Sequence, residues 1–217
     1  MENTTNKFFT KTFFWMFLGL VGTAIVAAYT YYSGLWDKIA YSNAIYVVLL
    51  IELIAVLVFS FLFKKMSPTV AGIVYFIYAF INGVTLSCLF DLYDLDSIII
   101  AFVSTAAIFG VLSIIGYTTK KDLSNWRSIL GTLLIVGIIA TFVNVFLKNT
   151  MLDIGLTWGL LILFFGITIY DINKLKQLSE DDSLLPEKLH IYGAFQLYLD
   201  FINIFIRILR IMGNKRN

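Results

Sequence analysis

The sequence predicts an all-α polytopic membrane protein, with seven transmembrane helices in one domain over residues 1–217 and the seventh helix central in the bundle. Three observations predict it. Of 217 residues, 59% are hydrophobic and 14% charged, and the mean hydropathy is +0.86, well beyond the ~45–50% apolar content of a soluble domain. Apolar runs follow one another, each long enough to cross a ~30 Å hydrocarbon core as a helix rising about 1.5 Å per residue. Only two prolines interrupt them, and the joins are too short to fold as a soluble domain.

The segments lie near 12–33, 44–63, 69–90, 97–118, 127–147, 153–172 and 189–211. The first is too long and too aromatic for a signal-peptide core, and no small-residue cleavage site follows it, so it is expected to stay in the mature protein. The second ends at Lys64-Lys65-Met66-Ser67-Pro68, a breaker that also starts the third helix. An acidic hairpin, Asp91 to Asp96, closes the third. Lys120-Lys121-Asp122-Leu123-Ser124-Asn125 is a polar turn with capping residues between the fourth and fifth. Ser179 to Lys188, SEDDSLLPEK, is the one join long enough to be called a loop; its Glu180, Asp181 and Asp182 read as a solvated cluster, and Pro186 as a first-turn residue of the last helix. No internal repeat is evident, although segments one to three and four to six can form two triplets with the seventh left over.

Orientation follows from cations near the segment ends. With the N-terminus inside, Lys7, Lys11, Lys64, Lys65, Lys120, Lys121, Arg127, Lys174, Lys176 and Lys188 are inner, and only Lys38 and Lys148 sit in outer loops. A cytoplasmic N-terminus is therefore expected. Seven spans leave Lys215 and Arg216 outside, against the rule.

Five ionisable side chains interrupt the apolar segments: Glu52 in the second, Asp171 near the inner end of the sixth, and Asp200, Arg207 and Arg210 in the seventh. Each costs about 2.5–3.5 kcal/mol or more at the bilayer centre, so such groups face a bundle interior or a wet cavity. Gln196, Asp200, Asn203 and Arg207 recur at helical spacing, within about 60° of one another on one face. That stripe turns the seventh segment towards the other helices. Interhelical hydrogen bonding, with Arg207 or Arg210 neutralising Glu52, is one account of it.

Asp171 and Asp200 suggest more. If the sixth helix runs to Ser179 and the seventh starts at Pro186, the two carboxylates lie about 12 Å and 21 Å above those inner ends, with Gly193 available for a kink. Two carboxylates that meet in a low-dielectric site share a proton rather than both ionise, which makes the pair a pH sensor. Hard oxygens of this kind also suit Ca²⁺, helped by an amide oxygen such as that of Asn203, so protons and calcium would compete for Asp171 and Asp200. Lys64 and Lys65 are candidates for a cytoplasmic latch on Asp171, with plain topology signalling as the simpler reading. His190 reads as an interfacial residue rather than a proton relay, and Asp91, Asp94 and Asp96 as a solvated outer cluster.

Several functions have no support. The single Cys88 excludes an intrachain disulfide or thiolate cluster. No Walker loop, HExxH helix, nucleophile elbow or cysteine–histidine metal spacing occurs, so no enzyme activity and no cofactor are expected. The expected partners are the bilayer, Ca²⁺ and protons, with a second membrane protein as the alternative, and not nucleic acid.

The strings ITIYDINKLKQL, LYLDFINIFIRILRIMG, KKDLS at Lys120 to Ser124 and YAFINGVTLS resemble the Bax inhibitor-1 family, and its bacterial members in particular. The resemblance covers essentially the whole chain. It implies a last helix surrounded by six others and a pH-sensitive Ca²⁺ leak in a bacterial plasma membrane. It places the family's aspartate pair on Asp171 and Asp200, its second-helix acid on Glu52, and its seventh-helix arginine on Arg210 as a partner for Glu52. Two departures stand out: the join after Asp171 is long, and lysines replace arginines at the inner end of the second helix, giving a less directional latch. Two functions compete, a passive proton-gated cation pathway and a non-conducting regulator that binds another membrane protein such as a protease or cell-death factor. A proton-coupled exchanger is a third.

Overall fold

A computed structural model describes residues 2–179 and 186–216. The helices are α1 (Glu2–Tyr32), α2 (Leu35–Ala40), α3 (Ala44–Leu62), α4 (Pro68–Leu86), α5 (Leu89–Leu92), α6 (Leu95–Thr118), α7 (Trp126–Leu147), α8 (Thr150–Ser179) and α9 (Pro186–Met212). Among the described residues there is no strand, only an isolated bridge between Tyr93 and Lys215. The protein is a polytopic all-α membrane protein. Glu180, Asp181 and Asp182, read above as solvated, lie outside the described residues.

Six helical stretches are long and apolar enough to cross a membrane: Thr5–Tyr32, Ala44–Lys65, Pro68–Leu92, Leu95–Thr118, Trp126–Leu147 and Thr150–Ser179. The last helix, α9, is 27 residues long, about 40 Å, and carries Lys188, His190, Gln196, Asp200, Arg207 and Arg210 along it. Two helix ends match their sequence signals. Proline at position 68 opens α4 with the Ser67 hydroxyl accepting from the Val70 N–H, 3.3 Å away, and Pro186 opens α9; proline lacks an N–H that would be orphaned there in any case.

The chain forms two compact units. The first comprises residues 1–95, 179–198 and 215–217; the second comprises residues 96–178 and 199–214. Each has its own core. In the first, Phe195 stacks on Phe59 at 3.9 Å between ring centroids, and Tyr198 meets Tyr75 and Tyr78 edge-on at 5.8 and 5.9 Å. The backbones of α1 and α4 approach closely at Gly83, where a Cβ would lie 2.7 Å from the Thr23 carbonyl oxygen. In the second unit Phe201 packs on Phe102 and Phe109. There α6 meets α8 at Gly116, where a Cβ would lie 2.7 Å from the Ile169 carbonyl oxygen. Small residues permit such contacts where lipid supplies no hydrophobic drive between helices.

The α6–α8 contact is also stitched by polar groups. The last carbonyls of a helix have no partner within it. Here Asn173 Nδ2 donates to the Thr119 carbonyl at 3.0 Å and Lys176 Nζ to that of Tyr117 at 2.9 Å. These bonds fix the register of the α8 turn that carries Asp171.

Candidate functional site

Asp171 projects from this anchored turn of α8 and Asp200 from α9, both in the second unit. Both are buried, 8% and 3% exposed, and their charges are close enough to act on one another. Straight rods separate the two by about 9 Å in depth, and the two carboxyl groups lie within electrostatic range of one another. The third member is Thr168, three residues before Asp171 on the same face and completely buried. Its hydroxyl reaches Asp200 while also donating to the Phe164 carbonyl at 2.8 Å. One hydroxyl proton thus serves two acceptors. Asp200 Oδ2 is buried without a hydrogen-bond partner among the described residues. The cation whose field reaches Asp171 is Lys174.

The predicted supporting residues are used differently. Asn203 Nδ2 donates to the Leu199 carbonyl at 2.8 Å, and its Oδ1 accepts from Arg207 Nη1 at 3.3 Å. Its amide oxygen is therefore engaged by Arg207, which corrects the expectation that it would help hold a cation at the pair. Arg207 also donates to the Asn203 carbonyl at 3.0 Å and lies over the Phe164 ring, 5.0 Å from the centroid. Arg210 pairs with Asp153 at 3.0 Å. The expected neutralisation of Glu52 by Arg210 or Arg207 is thus replaced by local partners.

Glu52 itself belongs to the first unit. Its Oε1 accepts from Asn82 Nδ2 at 2.5 Å and its Oε2 from the Thr85 hydroxyl at 2.7 Å. Asn82 Oδ1 in turn accepts from the Tyr198 hydroxyl at 2.9 Å, which lies 2.7 Å from that of Thr23. Both carboxylate oxygens are supplied by neutral donors. Sequence reading did not foresee this; the signal available was Asn82 and Thr85, polar residues three apart on one face of an apolar helix.

Lys64 and Lys65 lie exposed in a 3₁₀ turn, Phe63–Lys65, with the Lys64 carbonyl accepting from Lys188 Nζ at 2.7 Å. His190 is buried beside Phe8, ring centroids 5.1 Å apart. Asp91 accepts from the Trp36 indole. Among the described residues no three His, Cys, Asp or Glu side chains gather at one point.

Apolar spanning helices with intramembrane carboxylates define an integral, multi-pass membrane protein with a buried acidic pair. The comparisons narrow that class: the family model described as "Inhibitor of apoptosis-promoting Bax1" matches residues 5–217, and the chain belongs to the Bax inhibitor-1 family. It is 40% identical over 208 residues to the inner membrane protein YbhL of Escherichia coli, covering 93% of this chain and 89% of that protein. An uncharacterized protein of Borreliella burgdorferi is 34% identical over 221 residues, covering 98% and 94%. An uncharacterized membrane protein of Streptococcus pyogenes is 32% identical over 215 residues, covering 97% and 93%.

Proposed function

We propose that this protein is a pH-sensitive Ca²⁺ leak in which Asp171 and Asp200 share a proton and exchange it for the cation. The observation that carries this reading is the pair itself: two buried carboxylates in electrostatic contact, one with an oxygen that has no hydrogen-bond partner among the described residues. Two such groups cannot both ionise cheaply in a low dielectric, so one proton held between them is the low-energy state. When it leaves, two negative charges face each other in a low-dielectric site. A divalent cation answers that charge.

The donor set suits a cation in transit rather than one stored. Calcium takes six to eight oxygens at roughly 2.3–2.6 Å; two carboxylates and the Thr168 hydroxyl supply part of that shell and water the remainder. At low pH the shared proton excludes the cation, and flux rises as pH rises and the pair deprotonates. Lys64 and Lys65 are the proposed cytoplasmic latch, with the single-point charge of an ammonium rather than a guanidinium fork. The lysine and arginine distribution supports a cytoplasmic N-terminus, and the name of the E. coli relative supports the bacterial plasma membrane.

The test is Ca²⁺ flux into proteoliposomes between pH 5 and 8. Wild-type flux that climbs with pH, and a flattened profile in Asp171→Asn and Asp200→Asn, are the expected results. The description of the matched family favours a second reading, a non-conducting regulator of another membrane protein. Folded, reconstituted protein that conducts nothing at any pH selects that reading. Flux that follows an imposed proton gradient selects an exchanger.

A further inference from the structure

A groove of about 820 Å³ opens on the first unit along α1 and α4. Its walls are apolar, with Phe14, Ile73, Ile77 and Phe80 between 45% and 59% exposed, and Gly72 forms part of the floor beneath Trp15, where a Cβ would stand 3.5 Å from the indole. One end is different. Lys11, exposed on α1, and His190 on α9 line it together with Pro68 and Thr69, the first residues of α4.

That end collects positive charge from two sources. Lys11 supplies a full charge, and the start of the 19-residue α4 supplies the positive pole of a helix. At that start the Ser67 hydroxyl takes the Val70 N–H, and Pro68 and Thr69, the first residues of the helix, line the groove. The other end of the groove, at Phe80, carries no charge.

The length of the groove discriminates among ligands. From Pro68 to Phe80 a helix rises about 18 Å, close to one leaflet of a ~30 Å hydrocarbon core. Pro68 begins a membrane-spanning stretch, which sets the charged end at the interface and the apolar end near the midplane. A soluble anion would need only the first end, and a neutral lipid only the second.

We propose that this groove is a specific site for an anionic glycerophospholipid, its phosphate at Lys11 and the α4 start and one acyl chain laid along Ile73, Ile77 and Phe80. The site is separate from the carboxylate pair and stands whether or not the protein conducts.

Native mass spectrometry of the full-length protein in detergent, titrated with phosphatidylglycerol or phosphatidylcholine of identical chains, tests it. Wild type should retain phosphatidylglycerol about fivefold more tightly, the effect expected of one lysine against an anionic headgroup. Lys11→Gln should erase the preference while leaving phosphatidylcholine binding unchanged. Ile73→Trp, a substitution at an exposed groove position, should weaken both lipids, and millimolar inorganic phosphate should displace neither. Equal retention of the two lipids in wild type, a preference that survives Lys11→Gln, binding of both lipids untouched by Ile73→Trp, or displacement by free phosphate would each overturn the proposal. Unfolding temperatures of both variants, measured alongside, separate a lost site from a lost fold.

Discussion

Glu52 and the Asp171–Asp200 pair are acids placed in helices of this membrane protein, and they are held in opposite ways. Glu52 has a neutral donor on each oxygen, and the chain of bonds continues through Asn82 and Tyr198 to Thr23. The aspartates have each other's field, one threonine hydroxyl at Asp200 and an Asp200 oxygen without a hydrogen-bond partner among the described residues. An ion that is fully hydrogen-bonded is settled, and removing a partner exposes its desolvation cost. An ion short of donors keeps that cost in place, available to a proton or a cation. The first arrangement builds a core; the second is suited to exchange.

The largest expected effect on stability breaks the first arrangement. Asn82→Leu strips one donor from Glu52 and the acceptor from Tyr198, at about 1–3 kcal/mol for each buried group left unsatisfied; thermal unfolding in detergent should show a loss of about 3 kcal/mol. Asp200→Asn, run beside it, should show no loss, because it relieves the repulsion between two buried carboxyl groups. A comparable loss from both would erase the distinction between the sites.

The paired glycines sharpen it next. Gly83→Ala and Gly116→Ala each press a Cβ towards a backbone carbonyl, and overpacking of this kind costs about 1–3 kcal/mol. The two should therefore destabilise alike. Only Gly116→Ala, which disturbs the α8 turn carrying Asp171, should also shift the pH profile of Ca²⁺ flux. Glu52→Gln should cost less, about 1 kcal/mol for a hydrogen bond weakened rather than lost, and should leave that profile in place.

The smallest effect lies outside the membrane. Asp122 accepts from the Ser124 N–H at 2.8 Å and from its hydroxyl at 3.0 Å, and these bonds hold its carboxyl below the ordinary range. A depressed acid contributes stability above its unfolded value and loses it as pH falls through the folded one. Asp122→Ala should therefore matter slightly at neutral pH and not at all in strong acid, as unfolding temperatures at the two pH values will show.

Much of this was legible in the sequence. The apolar runs and Pro68 and Pro186 as helix starts are written in hydropathy and proline position. The partners of the charges were not. Periodicity tells which side chains share a face of one helix, but which residue opposes them depends on the rotation of a second helix about its own axis. Arg210 meets Asp153 for that reason, and Glu52 meets Asn82 and Thr85. The short helices α2 and α5 escaped notice because six and four residues are too few to show a period.

The measurement that tests the exchange most directly is proton release on addition of Ca²⁺ to the purified protein in weakly buffered solution near neutral pH. The account predicts release from wild type and from Glu52→Gln, and none from Asp200→Asn or Asp171→Asn. Release that persists in both aspartate variants, or that disappears in Glu52→Gln, would contradict it.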